Sequence, residues 1–103
     1  MSNPVWHLYI VRTQNGCLYT GVATDVARRM TEHRAGGTRG AKYLRGRGTF
    51  RLVLQRAIGD RALALRVERR IKRLPKREKE TLVAARPATP RLLGMLDLER
   101  SQA

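Results

Sequence analysis

Residues 5–22, VWHLYIVRTQNGCLYTGV, decide the fold. Residues 5–12 and 17–22 are dense in β-branched and aromatic side chains, and Asn15-Gly16 between them is a tight-turn signal, so the stretch reads as a β-hairpin. Tyr9 and Tyr19 both occupy odd positions of the paired strands, which lets the two phenols project from one sheet face. Two tyrosines so placed are either part of a site or ordinary core residues.

Downstream, TDVARRMTEHRAGG offers Thr24 or Asp25 as a helix N-cap, Gly36-Gly37 as the stop, and Val26, Met30 and His33 at i, i+4 and i+7. Arg29 and His33 are also four apart on this helix, and Arg29 borders the apolar stripe. Residues 36–48, GGTRGAKYLRGRG, hold five glycines together with Arg39, Lys42, Arg45 and Arg47, which reads as an exposed basic loop. Residues 50–57 alternate as a third strand. Asp60 caps a helix over 61–74 with the stripe Ala64, Val67 and Ile71. Pro75 suits the first turn of another over 75–85, and a last helix runs near 90–99 on Leu92, Leu93 and Leu96. The order β-β-α-β-α-α-α predicts one α+β domain over residues 1–103, a small three-stranded sheet flanked by helices.

The 103 residues carry 22 Lys and Arg against 8 Asp and Glu, a formal net charge of +14, and 18 of the cations are arginine. Such self-repulsion works against the compact state, and arginine's planar fork suits phosphate, so a nucleic acid is the expected partner. No segment joins a long apolar face to a basic one, which disfavours a membrane surface. One Cys and two His cannot build a zinc finger or ribbon, and Cys17 has no partner for an internal disulfide. The N-terminus lacks the basic and apolar regions of a signal peptide, so a cytoplasmic location is expected.

Glu68 stands out among the eight cations of residues 66–79, because it lies on the apolar edge of its helix, i+4 from Ala64 and i−3 from Ile71. Structurally it pairs with Lys72 or holds an arginine. Functionally, a carboxylate beside a phosphate groove is what Mg²⁺ takes, since that ion uses one or two carboxylates and keeps its waters. His33 likewise reads either as a core-edge histidine or as part of a site.

Taken together, these residues resemble the GIY-YIG nuclease superfamily, in particular its short stand-alone bacterial branch. The first motif stands as His7-Leu8-Tyr9, with His7 and Leu8 replacing the family's glycine and isoleucine, and the second as Tyr19-Thr20-Gly21. GVATDVARRMTEH is similar to the family stretch carrying a catalytic arginine and a following histidine, and LALRVERRIKRL to its metal-binding helix. The resemblance spans roughly residues 4–85. It implies an antiparallel three-stranded sheet and a metal-dependent endonuclease acting on nucleic acid, DNA ahead of RNA. By the same resemblance Tyr9 is the general base, Tyr19 or His33 orients the water or relays its proton, and Arg29 stabilises the developing charge. Glu68 holds one Mg²⁺ or Mn²⁺, while Arg39, Lys42, Arg45, Arg47 and Lys72 position the backbone. A phenol ordinarily titrates near 10, so the base role requires Arg29 and the metal to lower Tyr9. The rival readings are a non-catalytic DNA- or RNA-binding module on the same fold, and an accessory subunit active only with a partner.

Overall fold

The computed structural model describes residues 3–35 and 48–98. Its elements are β1 (Trp6–Thr13), β2 (Leu18–Ala23), α1 (Val26–Ala35), β3 (Phe50–Gly59), α2 (Arg61–Arg73), α3 (Lys76–Ala85) and α4 (Thr89–Met95). The expected α+β order is therefore the observed one. β1 and β2 lie one residue later than expected, and β3 starts as expected and runs two residues longer.

The sheet is antiparallel with strand order β2-β1-β3. A central strand is covered on both faces, and Leu8, Tyr9, Ile10 and Val11 are accordingly each no more than 1% exposed. Leu8 and Ile10 point to one face, where they meet Leu54 and Ile58 of β3, Ala64, Val67 and Ile71 of α2, and leucines of α3 and α4. Tyr9 and Val11 point to the other, against Ala23, Val26 and Met30. The strand thus separates an apolar core from a smaller cluster that contains a phenol.

Three local devices fix this frame. Gly16, at φ 88, closes the hairpin, its N–H donating to the Thr13 carbonyl at 2.9 Å. Asn15 keeps a negative φ, so the connection is not the two-residue turn with both centres left-handed that Asn-Gly suggests. Asp25 and Asp60 cap α1 and α2, accepting from the backbone N–H groups of Arg28 (3.0 Å) and Leu63 (2.8 Å). Between β1 and β3 the register skips Val53 and Ile58, two bulges that bend the edge strand.

The final helix stops earlier than the sequence suggested. Asp97 adopts φ 57, and the N–H groups of Asp97 and Leu98 return to the carbonyls of Gly94 (3.1 Å) and Leu93 (2.8 Å). That paired return terminates a helix, and it turns Leu98 into the core, where it is 2% exposed. Burying Leu98 outweighs another turn of helix.

Candidate active site

Tyr9 on β1 pairs directly with Gly21 on β2, and Val11 pairs with Tyr19, so both tyrosines lie on one sheet face. A Cβ on Gly21 would overlap the Tyr9 hydroxyl and ring. Only glycine lets the phenol lie flat across β2 at this point. Tyr9 and Tyr19 sit with ring centroids 6.4 Å apart.

α1 closes over this face. Its stripe buries Val26, Met30 and His33, the last only 4% exposed despite being polar. His33 Nε2 lies 2.9 Å from the Tyr9 hydroxyl, and the histidine ring meets Tyr19 and Phe50 nearly edge-on at 6.0 and 6.1 Å. One turn earlier, Arg29 donates to Tyr9 and to Glu32 Oε1, the latter at 2.9 Å. Its neighbour Arg28 points outward, 77% exposed against 30% for Arg29, and reaches Glu32 only at 3.4 Å. Because Arg29 donates to the Tyr9 oxygen, the Tyr9 proton is best spent on His33 Nε2, with the imidazole protonated on Nδ1.

Burial pushes the Tyr9 phenol up to about 12, with the neighbouring Tyr19 adding to the rise and Arg29 opposing it. Arg29 alone does not bring this phenol below its usual value, because desolvation outweighs one partly exposed guanidinium. His33 moves below its ordinary value, first through burial and then through the Arg29 charge, and is a neutral imidazole at pH 7. Glu32 is held below the usual carboxylate range by its hydrogen bond from Arg29.

α2 brings Glu68 to the β2 side of the same centre. Its charge acts on Tyr9, and its carboxylate, 16% exposed, lies 3.3 Å from Lys72 Nζ. Lys72 in turn stands 5.9 Å above the Tyr19 ring. The pairing anticipated for Glu68 and Lys72 is thus formed, and it sits within the site. Among the described residues no three His, Cys, Asp or Glu side chains converge as metal ligands. A single, mostly enclosed carboxylate fits a hydrated Mg²⁺ or Mn²⁺, which needs few protein ligands, and does not fit zinc.

The structure therefore gathers Tyr9, Tyr19, Arg29, His33, Glu68 and Lys72. Arg39, Lys42, Arg45 and Arg47 lie outside the described residues. Sequence reasoning gave no role to Gly21 or Glu32. Gly21 sat inside a quoted motif, and Glu32, three residues after Arg29 on a helix, was a readable partner for it.

Residues 5–81 match the GIY-YIG catalytic domain. The chain is 51% identical to the UPF0213 protein YE0453 of Yersinia enterocolitica, over 95% of this chain and 97% of that protein. It is 52% identical to a UPF0213 protein of Yersinia pestis, over 96% and 99% respectively. The solution NMR structure of the UPF0213 protein BH0048 from Bacillus halodurans superposes with a TM-score of 0.52 at 43% identity, covering 79% of this chain and 84% of that one. With the domain match spanning most of its length, this chain belongs to the GIY-YIG nuclease family.

Proposed function

We propose that this protein is a divalent-metal-dependent endonuclease that hydrolyses phosphodiester bonds in nucleic acid, DNA ahead of RNA. The observation that carries the reading is the Tyr9–His33 pair with the Arg29 guanidinium beside it and the Glu68 carboxylate near enough for its charge to act on Tyr9.

Hydrolysis needs a deprotonated water, neutralisation of charge on the phosphate, and precise placement of both. Tyr9 accepts a proton from the attacking water as it passes its own to His33 Nε2, so neither group has to exist as a free phenolate beforehand. Neutral His33 is in the right state to receive it. Arg29, fixed between Tyr9 and Glu32, presents its remaining N–H groups to the phosphoryl oxygens. Glu68 and its ammonium partner Lys72 hold the metal position and the phosphate respectively. When bound, Mg²⁺ or Mn²⁺ supplies Lewis-acid charge neutralisation at the scissile phosphate. Arg39, Lys42, Arg45 and Arg47 position the backbone.

Cleavage of branched, nicked and single-stranded DNA and RNA with Mg²⁺ or Mn²⁺, by wild type and Glu68→Gln, tests the proposal. The variant keeps shape and loses charge, so turnover should fall by orders of magnitude while nucleic-acid binding holds or tightens. Unchanged turnover would remove Glu68 from the mechanism. One observation favours the rival binding module, the Lys72 ammonium already pairing with Glu68. Nucleic-acid binding by wild type without cleavage under any of these conditions would decide for it.

A further inference from the structure

The face of the sheet opposite Tyr9 carries a second arginine cluster. The β1–β3 register sets Arg12 directly across from Arg51 and Leu8 across from Arg56, so all three arginines share the face of Leu8 and Ile10. With Arg86 from the end of α3 they line a cleft of about 560 Å³ over Leu54 and Val83. Like charges directly opposite across two strands are destabilising. The fold nevertheless retains the Arg12–Arg51 pair.

Only one of the four guanidiniums is neutralised among the described residues. Arg12 makes a two-pronged contact with Glu80 of α3, at 2.7 and 2.9 Å. Arg56 and Arg86 are held instead by backbone carbonyls. Arg56 donates to Gln55, Pro87 and Arg86 at 2.6, 2.8 and 3.1 Å, and Arg86 donates to Val53 at 2.7 Å. A carbonyl fixes a guanidinium without cancelling its charge. Arg51 is exposed, and its guanidinium makes no hydrogen bond or ion pair among the described residues. The cleft is therefore positively charged and partly ordered in advance, which lowers the entropy lost when an anion binds.

We propose that this cleft is a second phosphate-binding site, taking the sugar-phosphate backbone of a nucleic acid at a stretch separate from the one at Tyr9. Guanidiniums bind phosphate oxygens through paired hydrogen bonds, and a net charge of +14 draws a polyanion to the whole chain. The identity of the polyanion rests on the nucleic-acid reading above. Since the cleft and Tyr9 lie on opposite faces, a substrate engaging both presents two backbone segments, as a branched nucleic acid does.

The test is fluorescence anisotropy of a labelled three-way DNA junction with wild type and Arg51→Ala over a range of NaCl, without divalent ions. Arg51→Ala removes no side-chain hydrogen bond or ion pair among the described residues, so the fold should be retained, and a thermal melt checks this. The slope of log K against log salt should become shallower by about 0.9, the signature of one lost phosphate contact. Affinity at low salt should drop several-fold. A slope and affinity equal to wild type would overturn the proposal. So would loss of binding to a polyglutamate peptide with junction binding intact, which would assign the cleft to acidic protein. Because the titration needs no catalysis, a wild type that never cleaves ends the nuclease reading and leaves the salt slope to decide on the cleft alone.

Discussion

The Tyr9 hydroxyl of β1 and His33 Nε2 of α1 lie 2.9 Å apart across the enclosed face of the sheet, with both side chains almost entirely withdrawn from water. Two groups that usually carry the chemistry of a proton transfer are thus held as a neutral pair. Burial raises one of them and lowers the other, and each shift keeps the neutral form.

In ultraviolet difference titration, one of the three tyrosines should ionise late, at about 12, and Tyr9→Phe should delete that step. A raised folded value means the Tyr9 contribution to stability is intact below about pH 10, the unfolded value, and is lost as pH climbs through 12. All tyrosines titrating together near 10 would contradict the burial of Tyr9. On the acid side, cleavage should fall off only below about pH 6.5, where a depressed His33 finally takes a proton and can no longer accept one.

Arg29→Ala should abolish cleavage, whereas Arg28→Ala should cost only the modest binding of one peripheral phosphate contact. The two arginines are neighbours in sequence, but a helix turns about 100° between them, and only Arg29 reaches Tyr9. Arg29 also packs its stem, so melting temperatures of both variants belong beside the rates. Equal losses of cleavage from both would refute the geometric distinction.

Gly21→Ala should impair cleavage more than stability. The added methyl displaces the Tyr9 phenol from His33 and Arg29, while the cost of overpacking is about 1–3 kcal/mol. The two effects separate when Tyr9→Phe is combined with Gly21→Ala, because loss of the hydroxyl already removes the first. A double variant as stable as Gly21→Ala alone and no less active than Tyr9→Phe is expected from the measured melts and rates.

Glu80 is held far below the usual carboxylate range, at about 2, by its hydrogen bonds from Arg12 and then by the Arg12 charge and Lys76. Its contribution is therefore full above about pH 4.3 and disappears as pH falls towards 2. Melting temperature against pH should lose part of its acid slope in that window in Glu80→Gln. An acid limb identical to wild type would mean that the Arg12–Glu80 bridge is spent on solvent-screened charge alone.

Most of the frame was legible from residues near one another in the chain. Turn residues, caps and apolar stripes act over one or two turns of helix or a few positions of strand, so Gly16, Asp25, Asp60 and the Ala64–Val67–Ile71 stripe could be read directly. The shared face of Tyr9 and Tyr19 followed from parity, and the motif pattern led to Arg29, His33 and Glu68. What could not be read was how much water the tyrosine centre loses. The direction of the Tyr9 shift depends on whether desolvation or Arg29 dominates, and desolvation is set by α1 closing over the sheet.

The sequence alone determined the order of elements, the excess of arginine, and the residue types available to the site. Tertiary structure alone decided that α4 ends at Met95 and that Arg12 faces Arg51. Each of those depends on packing between segments distant in the chain, or on register and bulges that shift a strand by one residue and so exchange its faces. Local propensity carries no information about such choices, because the free energy that settles them is released only when the elements meet.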